Sequence, residues 1–308
     1  MEIVLQLLVL SLGFFMLIKG ADWFVGGASG IAEKFGIPSL VIGLTIVAMG
    51  TSAPEAAVSI TAALKGSADI TVGNIVGSNI INILVILGIS AIIAPLAVAK
   101  STVKLEMPFL IIVTALFLLL GIDGKIGFLD GVIFICAFAL YLTYLFVMAK
   151  KNRTDDIKNK QKISLSKSVI WTIVGLVMII LGSDFTVDAA SKIAAAFGMS
   201  ERFIGLTIVA LGTSLPELFT SVCAARRGKA DIAIGNIVGS NIFNILFVVG
   251  ISALIVPVPF ANGFIFDTTV AIAAAILLLM CCIKDRQLKR FSGILMIAAY
   301  IGYFAVII

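Results

Sequence analysis

Ten apolar runs, separated by charged or Gly/Pro-rich punctuation, dominate the pattern of the chain. They fall at residues 3–20, 38–64, 70–95, 105–121, 127–149, 168–186, 201–225, 232–256, 264–283 and 291–308. A helix needs roughly 20 apolar residues to cross the hydrocarbon core of a bilayer, and each run approaches or exceeds that length. The pattern predicts an all-α integral membrane protein with ten transmembrane helices. The first run follows an acidic Glu2 rather than a basic segment, and no cleavage site with a soluble domain behind it comes next. It reads as the first span and not as a leader. The one long polar stretch, 150–167, reads as a connector between a unit at 1–149 and another at 168–308.

The two units are copies. At an offset of 162 residues, 43–55 (GLTIVAMGTSAPE) and 205–217 (GLTIVALGTSLPE) agree at 11 of 13 positions. Residues 73–84 (GNIVGSNIINIL) and 235–246 (GNIVGSNIFNIL) agree at 11 of 12. The register also pairs Asp22 with Asp184 and Pro95 with Pro257. Five spans per copy is an odd number, so the second copy enters the membrane from the opposite side. Inverted repeats of this kind build secondary transporters, whose sites lie near the midplane where broken helices meet.

The repeated motif explains why a helix should break there. Ala48, Thr51, Ser52 and Glu55 stand at i, i+3, i+4 and i+7 and share one helical face. Pro54 lacks an N–H, and its ring clashes with the carbonyl of Gly50, which is expected to lose its helical partner. Ala210, Thr213, Ser214, Pro216 and Glu217 repeat the arrangement. In the next span Ser78 and Asn82 lie one turn apart, matched by Ser240 and Asn244. All these groups offer oxygen, which hard cations such as Na+ and Ca2+ prefer. A carboxylate midway along a membrane helix costs about 3 kcal/mol or more and is rarely idle. Asn74, Asn79, Asn236 and Asn241 have a plainer reading as caps of broken helices or bridges between spans. Asp22 and Asp184 read as groups near helix ends.

Composition narrows the class. The chain is 61% hydrophobic and 13% charged, with a mean hydropathy of +1.19, whereas soluble domains run near 25% charged. The net charge of +5 then reports topology and lipid headgroups rather than nucleic acid. Of the 22 Lys and Arg, all but Lys65, Lys125, Lys192 and Arg202 fall on one side of the ten-span plan. That side, which includes the 150–167 connector, should be cytoplasmic, with both termini outside. There is no histidine, and the four cysteines lack CxxC spacing, which argues against zinc. No nucleophile–base pair points to an enzyme.

GTSAPE with GNIVGSNIIN, and GTSLPE with GNIVGSNIFN, resemble the two alpha-repeats of the sodium/calcium exchanger family. The resemblance covers essentially the whole chain. It implies Na+/Ca2+ antiport by alternating access, with spans one and six sliding against the rest. It also implies ion ligation by Glu55, Glu217, Thr51, Ser52, Thr213, Ser214, Ser78, Ser240, Asn82 and Asn244, and by the carbonyls of Ala48 and Ala210. Some members have Asp where this chain has Asn244, which weakens the case for potassium dependence. Two carboxylates match one Ca2+ or two Na+ in charge. The alternatives are Ca2+/H+ exchange, because buried carboxylates can bind protons, and a cation channel, which would need a continuous pore.

Overall fold

The computed structural model describes residues 2–65, 68–151, 164–198 and 210–307, and these are helical nearly throughout. Helix α1 (Glu2–Phe35) is followed by α2 (Ser39–Thr51) and α3 (Ala53–Leu64), which form one apolar element bent by 49°. Next come α4 (Ile70–Ile93), α5 (Thr102–Gly121) and α6 (Phe128–Lys151). The second half contributes α7 (Leu165–Ala196), α8 (Leu215–Arg226), α9 (Ala230–Ile255), α10 (Gly263–Ile283) and α11 (Arg290–Ile307). The turn Ala210–Gly212 precedes α8; residues 199–209 lie outside the described residues, as do 152–163 of the expected connector. Among the described residues, eight helices are long and apolar enough to cross a membrane, and α2 with α3 makes a ninth as a broken span. Large apolar side chains such as Leu8, Ile112, Leu140 and Phe291 cover the outer surface, which is suited to lipid as solvent.

Two helices outrun the apolar pattern. The expected first and sixth spans, 3–20 and 168–186, continue as helix to Phe35 and Ala196. The glycines that look like punctuation are packing positions instead, and Asp22 and Asp184, read as near helix ends, lie well inside α1 and α7. Gly13, Gly20 and Gly27 recur every seven residues on α1 and lie against Gly182, Gly175 and Ser168 of an antiparallel α7. A Cβ on Gly20 would come within 2.9 Å of the Gly175 carbonyl, and one on Gly182 within 2.9 Å of the Gly13 carbonyl. Backbones this close exploit small residues where apolar area alone gives no drive for helices to associate in lipid.

The two copies interlock. Gly88 of α4 meets Gly293 of α11, and the 162-residue offset turns this into the contact of Gly250 on α9 with Gly131 on α6. Short antiparallel ribbons add further ties. β1 (Leu96–Ala97) pairs with β4 (Gln287–Leu288), and β2 (Lys125–Ile126) pairs with β3 (Val258–Pro259). Each ribbon takes one strand from each copy. At the centre, α2 packs on α9 through Gly43, Gly235 and Gly239, where any Cβ would lie within 3.0 Å of the facing helix. That seam brings the two motif helices together.

Replacing Gly175 by Leu should therefore lower stability by about 1–3 kcal/mol, the usual cost of overpacking. Gly302 faces open space and supplies the control: Gly302→Leu should leave thermal unfolding in detergent unchanged. Equal melting of the two variants would rule out the glycine seam as a determinant of stability.

Candidate functional site

The break between α2 and α3 positions the first carboxylate. Ser52 leaves helical geometry at φ −82°, ψ 7°, and Pro54 sits in the first turn of α3, where its missing N–H costs nothing. Glu55 falls in that same first turn, as Glu217 does in α8 behind Ser214 and Pro216. The free N–H groups of a helix start carry partial positive charge, which favours a carboxylate there. Both carboxylates are fully buried. Among the described residues, neither makes an ion pair.

The two copies hold one another's carboxylates. Ser52 Oγ donates to Glu217 Oε1 at 2.8 Å, and Ser214 Oγ donates to Glu55 Oε1 at 3.4 Å. Behind each carboxylate stands an asparagine. Asn74 Nδ2 donates to Ser59 Oγ (2.9 Å) and the Glu55 carbonyl (3.3 Å). Asn236 does the same with Ser221 Oγ (2.9 Å) and the Glu217 carbonyl (3.5 Å). Thr51 Oγ1 donates to Asn236 Oδ1 at 3.0 Å, which ties α2 to α9. Ser240 Oγ donates to the Ala48 carbonyl at 3.3 Å across the same seam.

A second set of amides joins α4 to α9. Asn79 Nδ2 donates to the Asn241 carbonyl at 3.2 Å, and Asn241 Nδ2 returns a bond to the Asn79 carbonyl at 3.0 Å. Asn82 Nδ2 donates to Asn241 Oδ1 (3.0 Å), and Asn244 Nδ2 donates to Asn79 Oδ1 (3.2 Å). Asn82 and Asn244 also open the wider π-helical turns Asn82–Leu87 and Asn244–Val249, a distortion common at functional sites.

Among the described residues, four buried acceptor oxygens in this region have no donor: Glu55 Oε2, Glu217 Oε2, Asn82 Oδ1 and Asn244 Oδ1. They form two pairs related by the repeat, and the hydroxyl of Thr213, the residue before Ser214, also has no partner among the described residues. Buried polar atoms are normally satisfied, and a set that only accepts calls for a cation or a donor-rich ligand.

The predicted residues thus largely converge. Glu55, Glu217, Ser52 and Ser214 form one bonded set, and Thr51, Ala48 and Ser240 line the α2–α9 seam. Asn82 and Asn244 belong to the amide set, and Ser78 is buried on α4. Ala210 opens the turn Ala210–Gly212, directly after the undescribed residues. One expectation needs correcting: the Gly50 carbonyl is not left free by Pro54, since a backbone N–H at the helix end takes it. In the second copy the Ser183 hydroxyl takes the Gly212 carbonyl at 2.7 Å. A break can satisfy its own carbonyls locally, so the unpartnered oxygens are on side chains. Sequence reasoning missed Ser59 and Ser221, although both are serines at the 162-residue offset.

The family model described as sodium/calcium exchanger protein matches residues 5–147 and 167–308. The chain is 43% identical over 302 residues to CaxA of Alkalimonas amylolytica, covering 94% of this chain and 95% of that protein. It is 32% identical to the sodium/calcium exchanger MaX1 of Methanosarcina acetivorans, covering 99% of both. A solved structure of the sodium-calcium exchanger NCX_Mj, soaked with 2.5 mM Na+ and 10 mM Sr2+, matches at a TM-score of 0.87 and 35% identity, over 98% of this chain and 99% of that one.

The amide set makes its own prediction. Asn241→Leu strands the Asn82 amide and the Asn79 carbonyl, and should cost about 1–3 kcal/mol of stability. Asn79→Leu should cost a similar amount, and the double variant less than the sum, because both belong to one network. Denaturant unfolding in micelles reads this, and strict additivity would count against a shared network.

Proposed function

The chain belongs to the sodium/calcium exchanger family, and we propose that it is a secondary antiporter exchanging Na+ for Ca2+ by alternating access at the site around Glu55 and Glu217. The carrying observation is the set of four buried, unpartnered acceptor oxygens, two from carboxylates and two from amides. Two buried carboxylates without a basic partner are unfavourable by several kcal/mol each. One Ca2+ or two Na+ neutralise them, so the same oxygens serve either load and the ions compete. The hydroxyls of Ser52 and Ser214 hold each carboxylate's other oxygen and aim the free one. The relatives named as sodium/calcium exchangers support this choice of ions. The basic residues favour an orientation with the Arg226–Arg227 end in the cytoplasm.

Glu55→Gln or Glu217→Gln keeps the shape of the side chain and removes half the site's negative charge. Either variant should reduce Na+-driven Ca2+ uptake into proteoliposomes at least 100-fold, while the protein still elutes as a folded species. Near-normal exchange by either variant would sink the assignment of the site. Ca2+ flux with no counter-ion on the far side would point to a channel.

The sliding pair α1 and α7 carries charges that fit alternating access. Asp22 on α1 accepts an ion pair from Arg227 at 2.8 Å and a bond from the Cys223 thiol at 3.1 Å, beside a cavity of about 420 Å³. The repeat converts Asp22 into Asp184 and Arg227 into Lys65, a second pair of opposite charge at the other membrane face. Among the described residues, Asp184 and Lys65 are not joined. We infer one latch for each end state. The observed pair is half exposed and so worth about 1 kcal/mol or less. Asp22→Asn should therefore shift the apparent Ca2+ affinity measured from one face by about fivefold or less. Asp184→Asn should shift it the opposite way. Shifts in the same direction would refute paired latches.

A further inference from the structure

One buried carboxylate stands apart from the repeated site. Glu106 lies in the first turns of α5, 1% exposed, and accepts a short hydrogen bond from the Tyr144 hydroxyl of α6. Among the described residues its other oxygen, Oε2, has no partner, and neither has the buried hydroxyl of Tyr141, one turn before Tyr144. The 162-residue offset turns Glu106 into Thr268 and Tyr144 into Val306. The second copy joins the corresponding helices by a different pair, Tyr303 donating to Asp267 at 2.9 Å, so the Glu106–Tyr144 pair is particular to the first copy.

Glu106, Tyr141 and Tyr144 are among the residues lining a cavity of about 450 Å³ between α5 and α6, walled mainly by apolar side chains including Leu105, Phe109, Ile112 and Leu140. Leu105, Ile112 and Leu140 are 52%, 63% and 71% exposed, on the surface that faces hydrocarbon. The cavity therefore opens sideways into the lipid. Its polar end lies near one membrane face: Lys104 sits at the mouth, and α6 ends in Lys150 and Lys151 shortly beyond Tyr144. Tyrosines and lysines at that depth are at the level of lipid headgroups.

We propose that this crevice is a binding site for an aminophospholipid, with the primary ammonium on Glu106 Oε2, the phosphate toward Lys104 and an acyl chain along Phe109, Ile112 and Leu140. Charge complementarity selects that occupant. An unpartnered carboxylate oxygen calls for a cationic donor, an exposed lysine nearby calls for an anion, and the apolar walls call for a chain. Phosphatidylethanolamine carries all three, with three N–H groups on its ammonium. Phosphatidylcholine has the same charges and chains, but its quaternary ammonium has no N–H to donate. The site thus discriminates by hydrogen bonding and not by net charge.

The test presents the purified full chain in mild detergent with equal amounts of dioleoyl phosphatidylethanolamine and dioleoyl phosphatidylcholine. Native mass spectrometry then counts the lipid retained. Wild type should retain the ethanolamine lipid about tenfold over the choline lipid, the scale of one charge-assisted hydrogen bond. Glu106→Gln should erase that preference, and Tyr141→Phe should weaken it severalfold. Equal retention of the two lipids by wild type, or an undiminished preference in Glu106→Gln, would overturn the proposal. Should Glu106→Gln fail to fold, the wild-type comparison and Tyr141→Phe decide between the same two results. None of these readouts depends on which ions are exchanged.

Discussion

Two carboxylates buried in an apolar bundle, with no basic partner among the described residues, set the terms for everything around them. Moving such a group from water is unfavourable by several kcal/mol even after relaxation, and the bundle meets that demand in parts. Each carboxylate sits in the first turn of a helix that restarts after a break, so the helix end contributes positive potential. Each receives a hydroxyl from the opposite copy. Each has its own carbonyl bound by an asparagine from the next helix. What is left over is one oxygen per carboxylate, and this is the part that a cation can complete.

The remaining architecture keeps these parts in register. Glycine contacts weld α4 to α11 and α9 to α6, and each weld joins one copy to the other. The ribbons β1–β4 and β2–β3 close the bundle at its two ends in the same crossed fashion. Helices α1 and α7 take no strand in either ribbon. They meet each other along glycines spaced by seven, with Thr172 and Thr186 set into the notches, so the two pack as one pair.

Much of this was legible in the residues, and the exceptions are instructive. The repeat, the helix break and the inward-facing set could be read because identical segments recur at one offset and because proline and glycine act locally. The length of α1 could not, because Gly20 and Asp22 look like a boundary until Gly175 and Arg227 are seen across from them. The exchange of hydroxyls between copies was equally hidden. Ser52 precedes Glu55 by three residues, yet it bonds Glu217, and no pattern within one segment encodes a partner in another. The fate of the Gly50 carbonyl was misread for the opposite reason: a local rule about proline ignored the N–H groups that a distorted turn can redirect.

The amide set at the centre has a consequence for polarity. Asn79 and Asn241 use both ends of their side chains: each Nδ2 reaches a facing carbonyl, and each Oδ1 accepts from Asn244 or Asn82. Exchanging oxygen and nitrogen on either would set two lone pairs against one another, so the orientations are forced. One N–H of Asn82 and one of Asn244 are used in turn, and among the described residues their oxygens accept from no donor. A group that could offer either sign is thereby fixed as a negative pole. The two amide oxygens therefore extend the negative pole of the carboxylates, held in place by hydrogen bonds rather than by formal charge.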